Sequence, residues 1–366
     1  MKNVLITIFY ADGLHGGVKY TAEIGNYLHS LGYNVFCVGA LTNESTKQFF
    51  ARNNVKLFNV FDFPTDIHID IVWAHHWPIL PYLIRRGLQY DRLINSCISK
   101  ILPIDKPLFF TKSVDLFLTL TPKTKNMFIN EYDIDGDIIH VLPNTAPDYF
   151  FDYKHDYSRP LKSIAVISNH IPCELSAALQ ILENQGYDTI VYGGKNPVDI
   201  VPDVLARHDV VVSIGKTVQY AMAMGIPVYN YDRFGGSGYI TPENVLVEES
   251  ANFSGRNFFT KKTAEQIADE IVSQYNTTLE QSDELKRIAE QRYKLSTKIN
   301  EVLNILDNMT PVKHVSEENS NRLMFDYCEF VINYSAQHVN DLYNYKSKKH
   351  ESSFQRLFRH LKHLKF

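Results

Sequence analysis

The sequence has few cysteines and none of the spacings that cysteine chemistry requires. Four cysteines stand far apart in 366 residues, and no C-x-x-C pair occurs. Zinc centres and disulfide frameworks need clustered or paired cysteines, so we expect neither, and we interpret the four as buried thiols in a reducing compartment. The sequence also has little excess charge of either sign. The net charge is -4, which provides no general attraction to nucleic acid, so a nucleic-acid partner is not expected.

Long hydrophobic runs are missing as well. No uninterrupted apolar run reaches the roughly 18 residues of a membrane-spanning helix. The first apolar run, residues 4–10, is too short for the core of a signal peptide, and the first predicted strand begins almost at Met1. The expectation from these absences is a cytoplasmic protein.

The dinucleotide fingerprint is absent too. A buried strand is predicted from Asn3 to Tyr10, and the glycines that follow it, Gly13, Gly16 and Gly17, do not have the spacing G-x-G-x-x-G. A nicotinamide cofactor is therefore not expected. A glycine-rich turn at this place in a doubly wound sheet commonly faces a charged ligand group. Gly16 and Gly17 are thus candidate ligand-binding residues, and the alternative is that the turn only reverses the chain.

An alternation of strand and helix patterns runs through most of the chain. Single cores rarely grow beyond roughly 250 to 300 residues, so 366 residues indicate two domains. The pattern predicts an α/β protein with two Rossmann-like, doubly wound domains, residues 1–150 and 160–310, facing a cleft. A segment of irregular pattern, residues 143–160, is the predicted linker. Residues 311–366 are predicted to form a helical, basic tail.

The clearest ligand site lies in residues 208–240. An apolar strand, Val210 to Ile214, is followed by Gly215, Lys216 and Thr217, then by a helix and a second strand, residues 226–231. The turn directs backbone N–H groups and the positive end of the helix to the carboxyl edge of the sheet, and Lys216 adds a full charge. This combination predicts a diphosphate site.

Other loops of the same domain reach the same edge, since parallel strands share their carboxyl ends. The loop after the strand 163–167 contains Asn169 and His170, and a glycine loop is predicted from Gly235 and Gly236 onward. Arg256 is a candidate phosphate ligand through two-point contact, although most arginines are only solvated. The predicted donor-side residues of this domain are Asn169, His170, Gly193, Gly194, Lys195, Gly215, Lys216, Thr217, Gly235, Gly236 and Arg256.

Two adjacent histidines follow the fourth predicted strand, Ile69 to Trp73. His75 and His76 stand where strand-end side chains point into the crevice of a doubly wound sheet, so either is a candidate proton carrier or hydroxyl ligand. The alternative is a structural histidine. No third ligand stands at a metal-binding spacing, so a metal site is not expected here.

Three stretches carry a family resemblance. They read AMAMGIPV in residues 221–228, VDLFLTLTPKTKNMF in 114–128 and IIHVLPN in 138–144, and the opening GGVKYTAEIGNYLHSLGYNV adds to them. Together they resemble GT-B glycosyltransferases, especially the retaining family GT4, over about residues 1–306. The chain departs from that family at Tyr220, which replaces a glutamate, and at Thr145, which replaces a glycine.

The resemblance implies a glycosyltransferase that takes a sugar from a nucleotide-sugar and transfers it to a cell-envelope glycan or lipid-linked acceptor, without a metal or other cofactor. Lys216 would stabilise the departing diphosphate. His75, His76 or Asp12 would act on the acceptor hydroxyl. The alternative, supported by Tyr220, is a non-catalytic subunit that binds an acceptor or activates a partner transferase. A third use of the same fold is epimerase-type or CDP-alditol chemistry.

The end of the chain is basic and amphipathic. Residues 345–366 contain seven Lys or Arg and one Glu, a local charge of +6, and five apolar residues share one face at helical spacing. This pattern is typical of a helix on an anionic membrane surface. A helix packed on the protein itself or on a partner is the alternative. The expected location is therefore cytoplasmic, with peripheral attachment to the inner face of the cell membrane.

Overall fold

The computed structural model describes residues 1–99, 103–153, 156, 158–194, 196, 198–257, 259–313, 315 and 322–346, with side chains through residue 338. Lys195 and residues 347–366, and with them most of the predicted membrane-binding segment, lie outside the described residues. Two α/β domains are present, each built on its own sheet. Within the described part of the chain, no helix combines the length and the apolar character needed to span a bilayer.

The first sheet has seven parallel strands in the order β3-β2-β1-β4-β5-β6-β7. The strands are β1 (Asn3–Ala11), β2 (Asn34–Thr42), β3 (Lys56–Asn59), β4 (Ile69–Ala74), β5 (Tyr90–Cys97), β6 (Leu116–Thr119) and β7 (Ile139–Val141). The strand order reverses beside β1, because β1 lies between β2 and β4. A crevice at such a switch point, outside the carboxyl ends of the strands, is where doubly wound folds bind ligands.

The second sheet has five strands in the order β12-β11-β10-β8-β9. They are β8 (Ser163–Ile167), β9 (Asp188–Tyr192), β10 (Val210–Ser213), β11 (Val228–Asp232) and β12 (Gly235–Tyr239). Four of them are parallel, and β12 runs antiparallel to β11. The prediction of a glycine loop after β11 is therefore wrong: Gly235 and Gly236 belong to a strand that forms the edge of the sheet.

Helices cover both faces of each sheet, and two buried clusters per domain form the cores. The helices are α1 (Gly16–Ser30), α2 (Glu44–Arg52), α3 (Ile79–Arg85), α4 (Pro122–Tyr132), α5 (Cys173–Asn184), α6 (Pro202–Leu205), α7 (Lys216–Met224), α8 (Val245–Glu249), α9 (Ala264–Ser273), α10 (Tyr275–Glu280), α11 (Ser282–Tyr293), α12 (Leu295–Asn308) and α13 (Arg322–Lys346).

Local sequence signals set several helix ends. The Thr121 hydroxyl accepts a hydrogen bond from the Thr124 N–H at 3.2 Å, and Pro122 takes the first position of α4, where no N–H is needed. Gly225 ends α7 in the left-handed conformation, with φ of 74°. The segment from residue 275 to residue 308 is helical but divided into α10, α11 and α12, and Lys294 is extended between the last two.

The end of the chain returns to the first domain. Ile299, Val302 and Leu306 of α12 are buried in the core that also contains β1 and α1, so α12 packs on the first domain. Farther on, α13 packs on α3: Phe325 stacks on Phe110, and Arg85 forms an ion pair of 2.7 Å with Asp326. The described part of the predicted tail therefore covers the first domain.

The predicted linker is a packed segment. Ala146 forms a bridge to Lys294, and Phe150, at 0% exposure, lies in the core of the second domain. The Phe150 ring stacks on Tyr220 of α7 at a centroid distance of 4.4 Å. Burial of an aromatic ring contributes roughly 1.5–3 kcal/mol, so the linker stabilises the second domain as well as connecting it.

Candidate functional site

The two domains meet along one face of α1. Lys19 and Glu23 stand four residues apart on this helix, so their side chains share a face. Lys19 forms an ion pair of 2.6 Å with Asp199, in the loop after β9, and its ammonium donates a hydrogen bond of 2.8 Å to the Ile200 carbonyl oxygen. Glu23 reaches α7 of the second domain. The carboxyl edges of the two sheets therefore face each other across a closed cleft.

Lys216 lies inside this cleft, at the first position of α7. The turn before it needs glycine, since Gly215 has φ of 61°. The Lys216 ammonium is 2.7 Å from the Glu23 carboxylate and donates a hydrogen bond of 2.6 Å to the Thr145 carbonyl oxygen. It also lies over the rings of Tyr20 and Tyr220, at 5.3 and 5.1 Å from their centroids.

Burial changes the electrostatics of this cluster. The side chains of Glu23 and Lys216 are each 9% exposed. Removal from water lowers the pKa of Lys216 below its ordinary value, and the Glu23 carboxylate opposes that shift. The ammonium is enclosed by one carboxylate, one carbonyl oxygen and two aromatic faces.

Tyr220, the residue that departs from the family pattern, has a defined role in this cluster. It is 2% exposed, and its hydroxyl donates a hydrogen bond to the Glu23 carboxylate. Burial and the Glu23 charge both raise the pKa of Tyr220 well above the usual range, so the hydroxyl stays protonated as a donor. The carboxylate of this cluster is thus supplied by α1 of the first domain.

The predicted loops of the second domain gather at the carboxyl edge of its sheet. The Asn169 side chain accepts a hydrogen bond of 3.0 Å from the Gly194 N–H, which ties the loops after β8 and β9 together. His170 and Asn169 are both exposed, and Gly193 pairs with Asn196. Thr217 is the second residue of α7 and is partly buried. Their predicted contact with a donor remains a prediction.

Gly235 and Gly236 do not form the open cradle that was predicted. Both are buried, and the Gly236 N–H donates to the Thr260 carbonyl oxygen at 3.3 Å. A side chain at Gly236 would overlap the Asn230 backbone. These glycines allow close packing of the backbone. Arg256 is partly buried, in a loop whose Phe253 carbonyl oxygen accepts from the Gly215 N–H at 3.0 Å.

Both ring nitrogens of His76 contact groups of the first domain. Its Nδ1 accepts a hydrogen bond of 2.7 Å from the Phe9 N–H, which leaves the proton on Nε2, and Nε2 faces the buried Asp105 carboxylate at 3.5 Å. Both ring nitrogens are therefore directed at protein groups. The predicted role of His76 as a proton carrier receives no support from this geometry.

His75 has a different environment. It is fully buried, its ring lies 5.6 Å from the ring of Tyr20, and neither ring nitrogen has a hydrogen-bond partner among the described residues. Burial, followed by the proximity of His76, lowers the pKa of His75 to about 3. The imidazole is therefore neutral near pH 7, which suits a hydroxyl ligand better than a charged proton donor.

The loop after β1 faces the cleft from the first domain. α1 begins at Gly16, followed by Gly17, and its N-cap residue His15 makes no side-chain capping bond. The His15 Nε2 instead contacts the Tyr10 carbonyl oxygen at 3.0 Å. Asp12 is partly buried, and its backbone carbonyl accepts from the Asn43 side chain at 2.6 Å. The predicted roles of Asp12, Gly16 and Gly17 stay predictions.

Sequence reasoning missed Lys19, Glu23 and Asp199, which join the domains. The only available signal was the pairing of Lys19 and Glu23 at helical spacing, and that pattern is typical of an ordinary pair on a solvent-exposed helix face. Nothing local indicates that the two side chains turn outward to a second domain.

Comparisons with known proteins identify relatives in structure and not in sequence. No family model matches the chain, and no curated protein is similar to it in sequence. A glycosyltransferase from Rickettsia africae ESF-5 is similar in structure, with a TM-score of 0.53 and 13% identity over 84% of this chain and 98% of that one.

Two further structures have TM-scores of 0.50. They are the apo form of the lipopolysaccharide outer core galactosyltransferase WaaB, with 13% identity over 83% of this chain and 99% of that one, and a putative UDP-N-acetylglucosamine 2-epimerase from Listeria monocytogenes, with 14% identity over 84% and 96%. At such identities the likeness establishes the fold and not the reaction. The chain has the GT-B fold, two α/β domains facing a cleft, with a C-terminal helical segment.

Proposed function

We propose that this protein is a glycosyltransferase that transfers a sugar from a nucleotide-sugar to a cell-envelope glycan or lipid-linked acceptor. One observation carries the proposal: within a GT-B fold, the ammonium of Lys216 stands at the start of α7 in the cleft between the domains. Two of the proteins with similar structures are glycosyltransferases, the Rickettsia enzyme and WaaB. WaaB is a galactosyltransferase of the lipopolysaccharide outer core.

In the proposed reaction the acceptor hydroxyl attacks the anomeric carbon on the face that the diphosphate leaves, the bond from that carbon to the diphosphate oxygen breaks, and the hydroxyl proton passes to the departing diphosphate oxygen. The leaving nucleoside diphosphate gains negative charge. Lys216 and the positive end of α7 stabilise this charge, and one such group commonly contributes about 10²- to 10³-fold in rate. No metal is required in this scheme. The relationship to GT4 and a retaining outcome are part of the proposal.

Because Lys216 is enclosed, the first step of the proposed reaction is to give the donor access to its ammonium. The donor diphosphate exchanges with the Glu23 carboxylate, so donor binding coincides with opening of the contact between α1 and α7. His75, neutral and with both ring nitrogens available, is the proposed ligand for a sugar or acceptor hydroxyl near this point. Attachment of residues 345–366 to an anionic membrane surface would bring a lipid-linked acceptor to the cleft, and it belongs to the same proposal.

The proposal is tested by binding followed by turnover. A thermal-shift panel with UDP, GDP, CDP and dTDP identifies the nucleotide, since a ligand that binds only the folded state raises its stability. Transfer or hydrolysis of the corresponding radiolabelled nucleotide-sugar is then compared between wild type and Lys216→Met. We expect a loss of about 10²-fold or more in the variant. Equal rates would remove Lys216 from the mechanism, and a product that keeps both nucleotide and sugar would favour epimerase chemistry.

A further inference from the structure

Two arginine side chains at the carboxyl edge of the second sheet form no ion pair among the residues that the structure describes, although the charge of one of them, Arg233, acts on the neighbouring Asp232 carboxylate. Arg233 follows β11, and Arg256 lies in the loop after α8. Their guanidinium carbons are 4.8 and 4.3 Å from the centroid of the same ring, Phe234. Stacking on an aromatic ring orients a guanidinium while it leaves the N–H donors free for a ligand.

The lysines nearby in sequence are already engaged. Lys216 pairs with Glu23, Lys261 with Glu174 and Lys262 with Glu270. Asp232, which precedes Arg233, accepts hydrogen bonds from the Arg233 backbone N–H at 2.6 Å and from the Ser168 hydroxyl at 3.1 Å. Among the described residues named here, the two arginine side chains are the cations of this edge that form no ion pair.

The loop of Arg256 has a strained backbone that is held in place. Asn252 and Phe253 both have positive φ, at 54° and 51°, which side-chain-bearing residues rarely adopt. The Phe253 carbonyl oxygen accepts two hydrogen bonds, from the Gly215 N–H at 3.0 Å and from the Asn230 side chain at 2.9 Å. Strain of this kind persists where the surroundings over-determine it, commonly at ligand sites. These bonds hold the loop, at Phe253, against the turn at Gly215.

The loops of the two arginines also interlock. A side chain at Gly255 would overlap the Gly235 carbonyl oxygen, and one at Gly235 would overlap the Thr260 backbone. The close approach of these segments brings the two like charges near each other. Burial, together with the charge of Arg233, lowers the pKa of Arg256 below its ordinary value. An anion placed between the guanidinium groups would relieve this repulsion.

The site faces the first domain. The Lys123 ammonium donates a hydrogen bond of 2.8 Å to the Asn257 side chain, and the Asn144 side chain donates one of 2.9 Å to Asn252. Lys123 is in the first turn of α4, whose positive end therefore lies on the same side as the arginine loop. Both domains present positive charge at this point of the cleft.

We propose that Arg233 and Arg256 together bind a phosphoryl group in the cleft. The inference deepens the proposed function and rests on it. Two sources share this chemistry: the diphosphate of the nucleotide donor, and a phosphate carried by the acceptor. Two guanidinium groups that stack on one ring suit two-point contact with a phosphoryl group, which a single lysine does not provide.

The test measures the affinity of the full chain for inorganic pyrophosphate and for the four nucleoside diphosphates by titration calorimetry. The variants are Arg233→Gln, Arg256→Gln and Arg256→Lys, and the control is Arg207→Gln, because Arg207 is exposed in the loop before β10. We expect each glutamine variant to bind pyrophosphate about tenfold or more weakly and the control to stay within about twofold of wild type. Arg256→Lys keeps the charge but loses the paired N–H donors of the guanidinium group, so its affinity for pyrophosphate should lie between those of wild type and Arg256→Gln.

The titrations with nucleoside diphosphates distinguish the two sources of the phosphoryl group, the donor and the acceptor. A parallel loss of nucleoside diphosphate affinity supports the donor as the source, whereas pyrophosphate affinity lost alone supports a phosphorylated acceptor. Pyrophosphate affinity equal to that of the control in both glutamine variants, or no binding of pyrophosphate by wild type, overturns the inference. The pyrophosphate titrations do not test whether Lys216 supports sugar transfer, which the radiolabel assay measures independently. Unchanged melting temperatures without ligand establish that the variants fold.

Discussion

Glu23 competes with the donor for Lys216 if the proposed function is correct, and the substitution Glu23→Gln measures that competition. The carboxylate and the ammonium are 2.7 Å apart, with both side chains 9% exposed. Two unit charges about 4 Å apart attract by about 4 kcal/mol at an effective dielectric constant near 20. Removing both ions from water costs several kcal/mol each, so the net free energy of the pair is much smaller than the attraction.

We expect the free energy that an incoming diphosphate must overcome to be about 1.4 kcal/mol, which corresponds to about tenfold in affinity. The glutamine amide keeps the size of the side chain, and its oxygen can still accept a hydrogen bond from the Tyr220 hydroxyl, but it carries no charge. The nucleoside diphosphate identified by the thermal-shift panel should therefore bind Glu23→Gln about tenfold more tightly than wild type. Without ligand, the variant should unfold at a lower temperature, because the Lys216 ammonium stays enclosed without its counter-charge.

The assay is titration calorimetry at one ionic strength, with Asp199→Asn as the matched control. That substitution removes the ion pair of Lys19, another contact of α1 across the cleft, and leaves Lys216 and Glu23 unchanged. A gain in affinity in the control equal to that in Glu23→Gln would show that loosening the domains, and not freeing Lys216, is responsible. Unchanged or weaker binding in Glu23→Gln would refute the competition.

Three further predictions concern stability and pH. Tyr220→Phe keeps the stacking on Phe150 but removes the hydrogen bond to the Glu23 carboxylate, so the free energy of unfolding should fall by about 1.5 to 3 kcal/mol in denaturant titration; a change below about 0.5 kcal/mol would contradict this. His75, with a pKa of about 3 when folded and an ordinary value of 6.5, gives a folded state that binds fewer protons than the unfolded state, so stability should be complete above pH 6.5 and decrease as the pH falls toward 3. At pH 5 the loss should be about 2 kcal/mol, and His75→Gln should abolish it while the exposed His29→Gln should not. Ile299→Ala, a truncation in α12, should cost about 2 to 5 kcal/mol in the same titration if α12 is part of the core of the first domain, and a cost below about 1 kcal/mol would argue against that packing.

Much of the fold was predictable from local patterns. Apolar runs identified β1, β4 and β8 with ends within one residue, because strands buried on both faces read as continuous hydrophobic segments. The start of α4 also follows from a local signal, because Thr121 caps the helix and Pro122 takes its first position. The sequence failed where polar residues are buried: β5 contains Arg92, Asn95 and Ser96, whose partners lie on other elements, so no apolar run marks it. The strand β12 was taken for a loop because glycine is common in turns, whereas here it permits close backbone packing.

The candidate site divides along the same line. The sequence by itself determined the turn at Gly215 and Lys216, because backbone freedom, helix start and charge are properties of neighbouring residues. Only the tertiary structure decided what Lys216 contacts, since Tyr220 and its partner Glu23 are 197 residues apart. A helix pattern states which residues share a face, as Lys19 and Glu23 do, but not whether that face meets water or another domain. Contacts between domains depend on how the two sheets are oriented. That orientation depends on many contacts between residues that are far apart in the sequence.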